Sequence, residues 1–193
     1  MHKWVKLSIC AFALILALPL TGIATETTES SQNDDSWWKR FGNRVSQTWN
    51  SPTWDLYVPA YTWHNRLMYD SDKAAKYNET PWGAGIGKSM LDEDGDWHAL
   101  YAMGFQDSHD MFEPIVGYGF QKNWRPSGDS DWRVGGGFTV GITARQQYNY
   151  IPFPLPLPMA GVEYKRLAVQ AVYIPGGYND GNVLFCWLRW QLN

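Results

Sequence analysis

The chain has 193 residues, 16% of them aromatic, with 12 Trp, 18 Gly, 11 Pro and 2 Cys, and a formal charge of −3. That length supports one domain, the negative charge excludes a basic nucleic-acid footprint, and so many aromatic residues beside only 18% charged ones exclude a disordered chain. A mean hydropathy of −0.39 excludes a bundle of membrane-spanning helices, and the dispersed apolar residues suggest strands.

Lys3 and Lys6 open the chain, Leu7–Leu20 follows without a charge, and Gly22-Ile23-Ala24 supplies small residues for cleavage. The apolar run is too short to cross roughly 30 Å of hydrocarbon comfortably, so residues 1–24 read as a secretory signal peptide. Cys10 lies inside that run rather than at its end, against a lipoprotein signal. With Cys10 removed, Cys186 is alone, and neither an intrachain disulfide nor a cysteine metal cluster is expected. Residues 25–35 are Thr, Ser, Glu and Asp with few apolar positions and read as a flexible tail. Over 36–50 the period changes: Trp37, Phe41, Val45 and Trp49 recur every four residues, with Lys39 and Arg40 beside them, Ser36 as N-cap and Pro52 as stop. An amphipathic helix results, either packed on the domain or lying at a membrane interface.

From residue 54 onward the period is two, in segments separated by turn signals. The first, 54–66, sets Tyr57, Pro59, Tyr61 and Trp63 against Val58, Ala60, Thr62 and His64. Segment 82–91 alternates Trp82, Ala84 and Ile86 with Gly83, Gly85, Gly87 and Ser89; 97–106 alternates Trp97, Tyr101, Met103 and Phe105 with His98, Ala102, Gly104 and Gln106. Segments 112–124 and 132–145 repeat the scheme, setting Tyr118, Phe138 and Val140 against Gly117, Gly119, Gly137 and Gly141. Weaker strands fall near 157–164, 167–175 and 182–192, giving eight. A face of large aromatic residues opposite a face of Gly, Ala, Ser and Thr inverts the pattern of a soluble sandwich. Large-out and small-in, on an even number of strands in an exported chain, predicts an eight-stranded antiparallel transmembrane β-barrel over 54–192. The inward glycines leave room for a ligand. A secreted lipocalin-like barrel shares the strand count and remains the alternative.

Asp92–Asp96, Arg125–Asp131 and Lys165–Arg166 are short turns, whereas the other set includes the long Asn65–Pro81 and Gln146–Pro156. Short turns belong on the periplasmic side, which puts both termini in the periplasm. His64, Asp107, Ser108 and Arg145 then meet at the opposite, extracellular rim. Those residue types suit acyl transfer, because an imidazole can activate or protonate a hydroxyl; solvated rim polarity is the other reading. His98 is expected on the inward face as a structural donor. Gly87-Lys88-Ser89 lacks the first glycine of a phosphate loop, and no His-Glu-x-x-His or EF-hand motif is present. The acidic turn Asp92–Asp96 reads as solvated, and no metal or cofactor is expected. Prolines gather at two places: Pro59 and Pro81 between the first two strands, and Pro152, Pro154, Pro156, Pro158 and Pro175 between the sixth and seventh. Proline removes a ladder donor, and unpaired backbone in hydrocarbon costs several kcal/mol per group, on the order of a lost hydrogen bond, so two lateral openings for lipid are predicted.

Asp55-Leu56-Tyr57-Val58-Pro59-Ala60-Tyr61-Thr62-Trp63-His64 closely resembles the first strand of the PagP family of outer-membrane lipid A palmitoyltransferases. So do Tyr77-Asn78-Glu79-Thr80-Pro81-Trp82-Gly83, Trp97-His98-Ala99-Leu100-Tyr101-Ala102-Met103, Asp107-Ser108, Glu113-Pro114-Ile115-Val116-Gly117-Tyr118-Gly119, Asn149-Tyr150-Ile151-Pro152 and Tyr173-Ile174-Pro175-Gly176. The resemblance runs from about Trp37 to Gln191, nearly the whole mature chain. It implies transfer of palmitate from the sn-1 position of a glycerophospholipid to a hydroxyacyl chain of lipid A, at the outer surface of the outer membrane, by a monomer or weak homodimer among outer-membrane lipids. His64 is implied as general base or acid, with Asp107 and Ser108 orienting it or polarising the ester. Arg145 is implied as a lipid A phosphate contact or loop support, Gly119 as the floor that measures acyl length, and Pro59, Pro81, Pro158 and Pro175 as lateral gates. Two positions depart from the family pattern: His109 replaces the usual aromatic after Asp-Ser, and the chain ends on Asn193 rather than phenylalanine.

Overall fold

The computed structural model describes residues 37–128 and 130–193; the expected signal peptide, the tail and Ser36 lie outside them. Helix α1 (Trp37–Asn50) leads into β1 (Trp54–His64), β2 (Gly83–Leu91), β3 (Trp97–Gln106), β4 (Phe112–Trp124), β5 (Trp132–Thr143), β6 (Phe153–Tyr164), β7 (Leu167–Ile174) and β8 (Val183–Gln191). A single turn, α2 (Ser71–Ala74), interrupts the loop after β1. Each strand pairs antiparallel with the next, and β8 returns to β1 through Asp55↔Gln191 to His64↔Val183, closing an eight-stranded barrel. The short turns gather at one end, where Trp54, Trp124, Trp132, Tyr164 and Trp190 stand exposed on the outside as an interfacial girdle.

The sixth strand begins at Phe153, not near 157, despite its prolines. In an antiparallel ladder successive residues face opposite neighbours. Pro154, Pro156 and Pro158 share one parity, so their missing donors all fall on one edge. The ladder to β5 stays intact from Thr143↔Phe153 to Trp132↔Tyr164, and the β7 edge is the one without donors.

The large-out rule holds for β2, β4 and β5 but fails for β3. Trp97, Met103 and Phe105 are buried in the barrel interior with Ala99, and Tyr101 packs against them. The inward glycines therefore seat these rings instead of leaving an empty lumen: a Cβ at Gly87 would meet Tyr57 Cε2 at 2.9 Å, and one at Gly117 the Tyr101 hydroxyl at 2.7 Å. The same correction moves His98 outside the barrel, where Nδ1 lies 2.6 Å from the Tyr118 hydroxyl and Nε2 3.1 Å from Asp92. In β1 an irregularity between Pro59 and Tyr61 inserts one residue into the alternation. Tyr57 and His64, expected on opposite faces, are thereby both buried.

At the short-turn end the interior is polar. Arg189 pairs with Asp55 and Glu163, and Glu163 also with Arg133; Gln121 and Gln170 hydrogen-bond each other nearby. Outside this end lies α1. Phe41 meets Tyr118 edge-on at 5.1 Å, and Arg44 reaches Glu93 at 2.7 Å. Thr48 is fully buried. Lys88 Nζ donates to the carbonyls of Trp49 and Ser51, satisfying acceptors that a helix end leaves open. Trp37, Trp38 and Trp49 remain 54%, 65% and 66% exposed. One face of the helix is thus docked on the barrel, and an aromatic face is left exposed.

Candidate active site at the long-loop rim

Above the polar layer the barrel holds a cavity of about 310 Å³, a size at the lower end of ordinary small-molecule sites. Its wall is apolar, formed by Met103, Phe105, Ile115, Leu157, Phe185 and Trp187, and its mouth carries His64, Asp107, Ser108 and Arg145. The four rim residues expected from topology therefore share one opening. The cavity ends at a layer where the Tyr101 and Thr139 hydroxyls hydrogen-bond at 2.6 Å. Gly119 faces inward below that layer and is not part of the cavity wall. A Cβ there would lie 2.9 Å from Trp97 Cζ3.

His64 ends β1 and is only 2% exposed. Its ring stacks on Tyr77 at 4.6 Å and meets Tyr69 edge-on at 5.3 Å. Its polar partner is Glu79, with Oε1 3.1 Å from His64 Nδ1 and 3.2 Å from the His64 backbone nitrogen. The other carboxylate oxygen, Oε2, accepts from Arg66 at 2.6 Å and from the Tyr61 hydroxyl at 3.1 Å. Burial opposes the Glu79 charge, but the His64 backbone and ring, the Tyr61 hydroxyl and the Arg66 cation outweigh it and hold the carboxyl below its ordinary range. Burial also pushes the Tyr69 hydroxyl up to about 12, and that hydroxyl donates to the Gly181 carbonyl at 2.6 Å.

Asp107 has a different task in its own loop. Its Oδ1 accepts the backbone N–H groups of His109 at 2.8 Å and Met111 at 2.9 Å, closing a tight turn in which Asp110 adopts a φ of 62°. The Ser108 carbonyl accepts the Asn78 N–H at 3.0 Å, and Asn78 Nδ2 donates to Asp110 at 2.7 Å. The loop after β1 and the loop after β3 are thus sewn together around His64. Arg145 Nε donates to Glu113 Oε1 at 2.8 Å, as does the Thr143 hydroxyl. Glu113 is 2% exposed, lines the cavity, and its Oε2 is buried without a hydrogen-bond partner. Glu79, Tyr69, Tyr77 and Glu113 escape a reading of sequence as site residues. Three lie in or beside a loop without periodicity, and the fourth alternates inward as any strand residue would.

The ladders break where the prolines stand. β1 pairs with β2 only from Trp54↔Lys88 to Tyr57↔Gly85, and Pro59 is the next inward residue. Pro81 precedes β2 across the same gap. β6 pairs with β7 only from Met159↔Val172 to Tyr164↔Leu167, with Pro158 next in line and Pro175 just past β7. Both unzipped stretches lie in the upper half of the barrel, beside the cavity.

The family model described as antimicrobial peptide resistance and lipid A acylation protein PagP matches residues 44–189. A protein of Pectobacterium carotovorum subsp. carotovorum (strain PC1) named Lipid A acyltransferase PagP is 56% identical over 164 residues, 84% of this chain and 77% of that one. The protein of that name in Laribacter hongkongensis (strain HLHK9) is 61% identical over 155 residues, 80% and 74% of the two chains. That of Serratia proteamaculans (strain 568) is 55% identical over 186 residues, 94% of each.

Proposed function

The chain belongs to the PagP family, a lipid A acyltransferase built as an outer-membrane barrel, and from that premise we propose that it moves palmitate from the sn-1 position of a glycerophospholipid to a hydroxyacyl chain of lipid A. The observation that carries this reading is one apolar cavity opening onto His64, Asp107, Ser108 and Arg145, flanked by two unzipped seams. A lipid tail needs an apolar slot, and a gap between strands lets it reach one from the bilayer without crossing water.

In this reading the long-loop rim faces outward, and donor and acceptor lipids enter from the membrane through the two seams. The carbon–oxygen bond of the donor ester breaks, a new ester forms on the acceptor hydroxyl, and lysophospholipid leaves with the proton that the hydroxyl gives up. His64 moves that proton as base and then acid. Asp107 shapes the loop that presents Ser108, and Ser108 polarises the ester. Arg145, braced by Glu113, meets phosphate at the rim or supports the loop.

Purified protein in detergent, given phosphatidylcholine labelled in its acyl chains together with lipid A, should transfer the label. His64→Ala and Ser108→Ala are expected to lose about 10²-fold or more of that rate, the scale of a lost acid–base group. Equal rates in the variants would remove the site assignment.

A further inference from the structure

We propose that Glu79 is the positioning residue of His64, the group that fixes which ring nitrogen is free to take a proton. This rests on the reading above, in which His64 handles the proton of the acceptor hydroxyl. A carboxylate only accepts, so the bond between Glu79 Oε1 and His64 Nδ1 at 3.1 Å is donated by the imidazole. The Nδ1–H tautomer is thereby selected, and Nε2 keeps the lone pair. The same oxygen accepts the His64 backbone N–H at 3.2 Å, so main chain and ring are held against one atom. Rotation about the remaining axis is stopped by Tyr77, stacked on the ring with 18° between planes, and by Tyr69 at 87°.

The carboxylate is itself held. Arg66 and Tyr61 occupy Oε2, and the Glu79 main-chain carbonyl accepts the Thr62 N–H at 2.9 Å. The backbone of this loop thus takes over from β2 along the unzipped edge of β1. Asp107, the acid expected to orient His64 or polarise the ester, accepts the N–H groups of His109 and Met111 on Oδ1, and its Oδ2 lies 3.9 Å from His109 Nδ1. Other groups bearing on the His64 charge are the Arg66 cation and the His109 imidazole, with the Tyr69 and Tyr77 rings packed on its faces. Glu79 alone among them accepts a bond from the ring.

When imidazole takes a proton on Nε2 it becomes a cation, and an ionised partner on Nδ1 stabilises that cation, as in other acid–histidine pairs. Glu79→Gln keeps the side-chain shape and an accepting oxygen but removes the charge. It is expected to lower kcat by about 10²-fold or more with KM within about twofold, and to move the acidic limb of the pH–rate profile to lower pH. Glu79→Asp should recover part of kcat and most of the limb. Arg66→Ala removes a brace of the loop without touching the ring, and should change kcat less than tenfold. Heat-dependent migration in detergent gels checks that each barrel is folded. A Glu79→Gln enzyme with wild-type kcat and pH profile, beside an inactive His64→Ala enzyme, overturns the proposal and leaves the transfer reading standing. Activity retained in His64→Ala overturns both.

Discussion

At Gly119 the barrel has no space for a side chain, because the Trp97 ring occupies it and the Arg189 guanidinium lies over that ring, 4.9 Å from its centroid. Gly119→Met must therefore displace Trp97, and the direction open to it is upward, through the Tyr101–Thr139 layer into the cavity. We expect donor preference to shift from palmitate to shorter chains, measured with a mixture of phosphatidylcholines of different acyl length. Overpacking of this kind also costs about 1–3 kcal/mol. Unchanged preference for palmitate would show that Gly119 does not set the length. That Gly119 points inward was legible from its alternation with Tyr118 and Phe120. That it lies beneath Trp97 was not, because a strand with aromatic residues on one face and small ones on the other reads the same turned either way. His64 was legible as a strand-end imidazole. Its partner Glu79 was not, since a loop between strands has no period from which to read a contact.

The seams belong to the scale of elements. Pro158 sits where the β6–β7 ladder stops, opposite Tyr173 if the register of Met159↔Val172 were carried one pair further. Pro158→Val restores one donor on that edge, worth about 1 kcal/mol if its bond forms. The expected outcome is a ladder extended toward the rim, read as a protected new amide at residue 158 and slowed hydrogen exchange at Tyr173, together with severalfold slower acyl transfer. Fast transfer by a variant whose new amide at position 158 is protected would mean that lipid enters elsewhere. Sequence carried most of this level: strand ends came within a few residues of the periodic segments, and proline placement marked both gaps. The start of β6 was missed because prolines read as breakers, although three at one parity leave the other edge of a strand intact. The register slip in β1 was also hidden, since an inserted residue in a run of Val, Pro, Ala and Tyr carries no signature.

For the molecule as a whole, a buried ion cluster of Asp55, Arg133, Glu163 and Arg189 stands where a soluble protein would place apolar residues. Arg189→Met would leave Asp55 with the long hydrogen bond from the Tyr57 hydroxyl at 3.4 Å and Glu163 with Arg133. Breaking such a pair costs roughly 3–5 kcal/mol, and a lower urea midpoint by tryptophan fluorescence would register it, with Trp97 beside the lost cation as reporter. A loss below about 1 kcal/mol would mean that the pairing is no better than a surface one. The sequence offered Asp55, Glu163 and Arg189 on separate strands with nothing to join them; only closure of β8 on β1 brings Arg189 opposite Tyr57, next to Asp55. That cluster gives the barrel a bottom. Among the described residues the interior is filled by paired charges at its short-turn end and hollow toward its long-loop mouth, the form of a cup and not a pipe. On the transfer reading proposed above, lipid is exchanged through the walls of this barrel, and the charged plug at its short-turn end sets it apart from an open pore of the outer membrane.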